Sequence, residues 1–191
     1  IFIQLESFFN PAYYEKVNFV DNPIPVFTRL QETCSTGFLT VPSVGAGTAN
    51  TEFEVITGMS LGYFGAGEYP YKTTLVDRTC ESMCYTLEPL GYTSTAIHNH
   101  IRSFYGRNKV FANLGFSRYI SRESMNYLTY TPVGWAKDNV LADEIINAMK
   151  DTPSQDLIYA ITVQGHGKYP DDLILFSSSL NRFLILHIMK R

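Results

Sequence analysis

Three short apolar runs, each leading into a polar loop that carries an acid or a histidine, constrain this chain more than any other feature. Ile1-Phe2-Ile3-Gln4-Leu5 runs into Glu6-Ser7, Gly91-Tyr92-Thr93-Ser94-Thr95-Ala96-Ile97 into His98-Asn99-His100, and Asp156-Leu157-Ile158-Tyr159-Ala160-Ile161-Thr162-Val163 into Gln164-Gly165-His166-Gly167. Short, largely apolar runs suit strands covered on both faces, and helical patterns lie between them. Helix followed by strand, repeated, is the order that builds a parallel sheet. The expected fold class is therefore α/β, with a mostly parallel central sheet flanked by helices. Ligands of such sheets gather beyond the carboxyl ends of the strands, which is where Glu6, His98, His100 and His166 fall. Glu6 there reads either as a metal ligand or as a plain loop carboxylate.

Between the first two runs lies Gly45-Ala46-Gly47-Thr48-Ala49-Asn50-Thr51-Glu52-Phe53-Glu54-Val55-Ile56-Thr57-Gly58. Glycines reach backbone conformations closed to other residues and let a ligand approach the main chain, while Thr51, Glu52 and Glu54 suit the first turn of a helix. A helix is expected over 51–59, with Thr48 just ahead of it. Backbone N–H groups and the positive dipole end collect there, so a hydroxyl at 48 can attack phosphorus while the helix steadies the anion. An ordinary threonine in a capped loop-to-helix turn is the alternative.

The remaining pattern supplies walls and packing. Phe38-Leu39-Thr40-Val41 reads as a strand delivering the chain to Thr48, and the loop 62–71, rich in Gly and Tyr, as one wall of a site. A long helix over 74–89 would stripe Leu75, Thr79, Met83 and Leu87 toward the core. Val110, Phe111 and Leu114 suit a short helix stopped by Gly115. Asp138 suits the cap of a helix reaching Lys150, with Val140, Leu141, Ile145 and Met149 buried. His98, His100, Phe104, Tyr105 and Arg107 form a cluster fitted to a phosphate-bearing or sugar-like ligand, with Arg107 able to offer a fork of donors. A lone histidine in such a loop is more simply a satisfied loop residue.

Composition excludes several function classes. The 191 residues, 45% hydrophobic and 17% charged, suffice for one sizeable core. A net charge of −3 and a pI near 5.8 provide no basic footprint for nucleic acid. No apolar run approaches the ~20 residues that cross a bilayer, and no signal peptide is visible. Opening inside an apparent strand, without an initiator methionine, the chain reads as starting partway through a longer protein. Cys34, Cys80 and Cys84 read as packing thiols rather than as a disulfide or zinc set.

Leu5-Glu6-Ser7, the stretch from Gly47 to Glu54, His98 with Phe104-Tyr105-Gly106-Arg107-Asn108, and Gln164-Gly165-His166-Gly167 occur in an order that resembles the lipoteichoic acid synthase branch of the sulfatase and alkaline-phosphatase superfamily. The resemblance implies that fold, with Glu6 as a metal ligand and Thr48 as the nucleophile that also contacts the metal. It implies that His98, Tyr105, Arg107 and His166 hold the glycerol phosphate group. The implied activity is manganese-dependent transfer of glycerol phosphate from phosphatidylglycerol through a threonine-linked intermediate. The implied setting is the outer face of a bacterial membrane, with the enzyme tethered by N-terminal transmembrane helices. With water as acceptor, the same centre would be a phosphodiesterase or another sulfatase-like hydrolase.

Members of that branch also supply a late Gly-Asp-His segment that completes the metal site, and this sequence has none. The expected organisation is a partial catalytic domain over 1–170, incomplete at its C-terminus, followed by a divergent tail over 171–191. Asp171 and Asp172 come too early to replace the missing ligands, and His187 sits in an apolar run. A noncatalytic remnant that at most binds glycerol phosphate is the reading from another class.

Overall fold

A computed structural model of the chain describes residues 1–14, 19–43 and 47–168. Gly45 and Ala46 of the glycine loop, and the expected tail over 171–191 with Asp171, Asp172 and His187, lie outside the described residues. The described chain builds a four-stranded sheet in the order β1-β4-β2-β3, from β1 (Phe2–Gln4), β2 (Tyr92–His98), β3 (Arg118–Ser121) and β4 (Gln155–Ile161). Every pairing is parallel, with Ile3 opposite Ala160, Ala96 opposite Tyr159 and Ile97 opposite Ile120.

Period-two alternation along the strands explains why helices cover both faces. Leu157, Tyr159 and Ile161 of β4 join Ala96 of β2 on one face, packed with Ala49, Phe53 and Ile56 of α2 (Thr48–Thr57) and Val110 and Phe111 of α4 (Arg107–Asn113). Ile158 and Ala160 point to the other face, with Ile3, Ile97 and Val140, Leu141, Ile145 and Ala148 of α5 (Asn139–Asp151). Met149 was expected in that stripe, but it is 45% exposed; the helix turns it outward and buries Ala148 instead.

Several expected elements differ. The helix over 74–89 is broken into a 3-10 turn, Thr74–Val76, and a short helix, α3 (Met83–Leu87), with Thr79 exposed between them. The cause is tertiary: Ser82 is extended, its hydroxyl donates to the Leu114 carbonyl at 2.6 Å, and its oxygen caps Cys84 N at 3.1 Å. Nearby, Cys80 N is drawn to Asn113 O at 3.3 Å, which puts Cys80 outside the helix. Residues 38–41 form no strand, and Phe38 and Leu39 are exposed. A helix the sequence reading missed, α1 (Pro25–Thr33), precedes them, started by Pro25 at its first position and buried mainly through Phe27. The short β3 was also missed. All three cysteines are free; Cys84 is buried, and burial pushes its thiol pKa up, as for a packing thiol, whereas Cys34 is exposed and does not pack as expected.

Candidate active site

The carboxyl ends of β1, β2 and β4 and the start of α2 meet around a cleft of about 370 Å³. Glu6, Thr48, His98, Tyr105, Arg107 and His166 all line it, although they come from four separated stretches. Parallel register accounts for this, because strands paired in parallel release their loops on one edge of the sheet.

Thr48 is the first residue of α2, not a loop residue ahead of it. Gly47, with φ +88°, turns the chain directly into the helix, so helix begins three residues before the expected position. The Thr48 hydroxyl donates to Glu6 Oε2 at 2.6 Å. Glu6 is itself held by its backbone N–H, which donates to Thr162 Oγ1 at 2.7 Å, and Ser7 Oγ donates to Glu6 Oε1 at 3.3 Å. Two hard oxygen donors in direct contact fit neighbouring positions in the shell of a divalent cation. Among the described residues, no group of three or more His, Cys, Asp or Glu could hold a metal.

Arg107 is buried at 1% exposure against Glu52 at 0%, paired edge-on through Nε to Oε2 at 3.0 Å and through Nη2 to Oε1. Burial opposes its charge, but the Glu52 carboxylate outweighs burial and leaves the Arg107 pKa above its ordinary value. Its Nη1 has no hydrogen-bond partner among the described residues. The fork expected of Arg107 is therefore partly spent inside the protein. Tyr105 packs on the guanidinium, 5.2 Å from ring centroid to Cζ, and stacks on Tyr69 at 6.4 Å and 7°. Tyr69 belongs to the loop over 62–71, which backs the cleft wall through this stack.

His98 Nδ1 lies 2.9 Å from the Ile161 carbonyl oxygen. A carbonyl only accepts, so Nδ1 carries the hydrogen and Nε2 keeps its lone pair. Burial is the largest of the causes that hold the His98 pKa well below the usual range, so the neutral ring is the one present. His98 can thus accept a hydrogen bond from a hydroxyl, but it cannot donate one to an anion. His166 lies on the turn after β4, its ring 4.6 Å from Trp135, and its Nδ1 is buried without a hydrogen-bond partner among the described residues. That turn is clamped by Asp138, whose Oδ1 accepts from Val163 N at 2.9 Å, Gln164 N at 3.1 Å and Asn99 Nδ2 at 2.9 Å. Asp138 sits at the N-cap position of α5, as expected, but its side chain makes no cap bond; it holds the loop after β4 instead.

Glu52, Asp138 and Trp135 were not read as site residues. Glu52 carried a signal, since it follows Thr48 by four residues and so shares its helix face. No local signal existed for Asp138 or Trp135, whose partners lie more than twenty residues away.

The sulfatase family's sequence model matches residues 1–175. The chain belongs to the sulfatase family. A putative cyclic beta-1,2-glucan modification protein of Rhizobium meliloti (strain 1021) is 32% identical over 169 residues, covering 88% of this chain and 26% of that protein. The chain thus spans about a quarter of that relative's length. Among solved structures, the Streptococcus pyogenes phosphoglycerol transferase GacH, in complex with sn-glycerol-1-phosphate, aligns at TM-score 0.75 and 20% identity, over 91% of this chain and 46% of that one. The lipoteichoic acid synthase LtaP of Listeria monocytogenes aligns at TM-score 0.67 and 23% identity, over 86% and 40%. The periplasmic domain of EptC from Escherichia coli, in complex with Zn, aligns at TM-score 0.56 and 17% identity, over 89% and 45%. These likenesses agree on the α/β fold, and the chain spans less than half of each. Among the described residues, no helix is long and apolar enough to cross a membrane.

Proposed function

We propose that this chain carries the donor-binding half of a phosphoglycerol transferase centre, which takes glycerol phosphate from phosphatidylglycerol onto Thr48. The observation that supports it best is a pair of buried nitrogens without hydrogen-bond partners among the described residues, Arg107 Nη1 and His166 Nδ1, on two residues that line the same cleft as Thr48. Buried polar groups are almost always satisfied, and a bound phosphate would give both a partner. Neutral His98 supports the glycerol part, because its Nε2 accepts from a hydroxyl. The GacH likeness and the glucan-modifying relative point the same way on donor and acceptor chemistry.

In the proposed reaction, the Thr48 oxygen bonds to phosphorus as the bond to the diacylglycerol oxygen breaks, and diacylglycerol leaves with a proton. Glu6, already accepting the Thr48 hydrogen bond, orients the hydroxyl. The N-terminus of α2 and Arg107 stabilise charge on the phosphoryl oxygens. A hydroxyl of a glucan or a glycerol phosphate polymer then displaces Thr48; water in its place makes the same centre a hydrolase. Glu6 and Thr48 would hold a divalent cation, manganese on the family pattern, which lowers a hydroxyl pKa and neutralises phosphoryl charge. On this reading the protein works at the outer face of a bacterial membrane.

Mass spectrometry after incubation with phosphatidylglycerol and manganese tests this reading. In the full-length protein a glycerophosphoryl adduct on Thr48 is expected, and an adduct on Thr51 or Ser7 overturns the assignment. Adding a glucan, a glycerol phosphate polymer or water alone then separates transfer from hydrolysis.

A further inference from the structure

We infer that Glu52 is a positioning residue, which grips one edge of the Arg107 guanidinium and thereby leaves the Nη1 end free for a phosphate-type oxyanion in the cleft. The inference rests on the anion-binding reading above. A guanidinium has five N–H donors in a fixed plane. Glu52 takes the Nε hydrogen and one on Nη2, so both Nη1 hydrogens and the second Nη2 hydrogen lie outside the pair's edge. The remaining end is itself a fork. Phe104 and Tyr105 meanwhile hold the face of the same group, 5.5 and 5.2 Å from Cζ.

Glu52 also links Arg107 to the nucleophile. Thr48 and Glu52 stand one turn apart on α2, and Glu52 is fully buried while Thr48 opens on the cleft. One rigid turn of helix therefore sets where the guanidinium stands relative to the attacking oxygen. A long, flexible arginine without this anchor would have to be ordered by the ligand itself, which weakens binding. A counter-ion that only balanced charge would not need both carboxylate oxygens on one edge.

The test uses residues 1–191 with labelled arginine side chains, and sn-glycerol-1-phosphate and inorganic phosphate as separate probes. In the unaltered chain, the Arg107 Nε and Nη proton signals are expected to be resolved before any probe is added. Glu52→Asp keeps the charge but is one methylene too short to hold both nitrogens. It is expected to fold, to merge those signals through free rotation, and to bind both probes about tenfold more weakly or worse. Glu52→Gln, which keeps the length and loses the charge, provides the same comparison should the shorter acid not fold. Affinity and resolved signals retained in either folded variant overturn the inference. Binding of inorganic phosphate that depends on Glu52, with no binding of sn-glycerol-1-phosphate to the unaltered chain, supports the positioning role and overturns the glycerol reading. Failure of the unaltered chain to bind either probe overturns both.

Discussion

At Arg107, the sequence motif and the packed protein ask for different things from one side chain. The motif reads as a phosphate fork; the structure uses one edge of that fork against Glu52 inside the core. Arg107→Lys should therefore fail twice, because a single ammonium cannot both satisfy two carboxylate oxygens and reach a ligand. Stability is expected to fall by about 2 kcal/mol, as when a buried carboxylate keeps its counter-charge but loses a hydrogen bond to it, read as a lowered urea midpoint. Thr48→Ala removes only a small, half-buried hydroxyl and is expected to abolish the adduct at an unchanged melting temperature, while Thr48→Ser keeps some adduct. His100 carries a pH prediction. Burial is the largest of the causes that lower its pKa to about 4, with Arg122 and Arg107 adding to it. The unfolded chain then binds the extra proton between about 4 and 6.5, so this contribution is fully present above pH 6.5 and is lost as pH falls toward 4. Urea unfolding from pH 7 to 4.5 should show stability falling more steeply in the unaltered chain than in His100→Asn. Equal slopes would mean that His100 stays accessible to protons in the fold.

Elements meet at this site through close backbone approach, and two glycines bear the strain of it. A Cβ at Gly47 would sit 2.6 Å from Tyr69 Oη, on a backbone with φ +88°. One at Gly165 would sit 2.6 Å from the Glu6 carbonyl oxygen. Gly47→Ala is expected to cost about 1–2 kcal/mol from its backbone conformation alone, and to move Thr48 away from Glu6. Gly165→Ala should instead spare α2 and separate the loops after β1 and β4, which shows as a loss of manganese binding larger than the loss of stability. Asp138→Ala leaves Val163 N, Gln164 N and Asn99 Nδ2 without their shared acceptor, and a loss of about 3 kcal/mol, with a shifted His166 ring signal in NMR, is the expected outcome. The elements read well from sequence were those whose own pattern carries the burial: β1, β2, β4, α4 and most of α5. The helix over 74–89 was misread because Ser82 and Asn113 spend their side chains on distant carbonyls. The short β3 has only Tyr119 and Ile120 to mark it, and its pairing to β2 makes it a strand.

For the molecule as a whole, a central parallel sheet with one packed layer on each face holds the cleft at a single edge. Manganese should raise the melting temperature of the unaltered chain slightly, and it should have no effect on Glu6→Gln, since a ligand stabilises only the state that binds it. An equal rise in both would place the ion elsewhere. The sequence alone determined the α/β class and the strands β1, β2 and β4, because apolar periodicity is a property of contiguous chain, and the family resemblance named six of the residues that line the cleft. Only the tertiary structure decided how those residues are spent. Glu52 and Arg107 are 55 positions apart, Asp138 and the His166 turn about 25, and Thr48 and Glu6 are 42 apart. Orientation, tautomer and unpaired donors depend on such distant partners, and no local pattern encodes them.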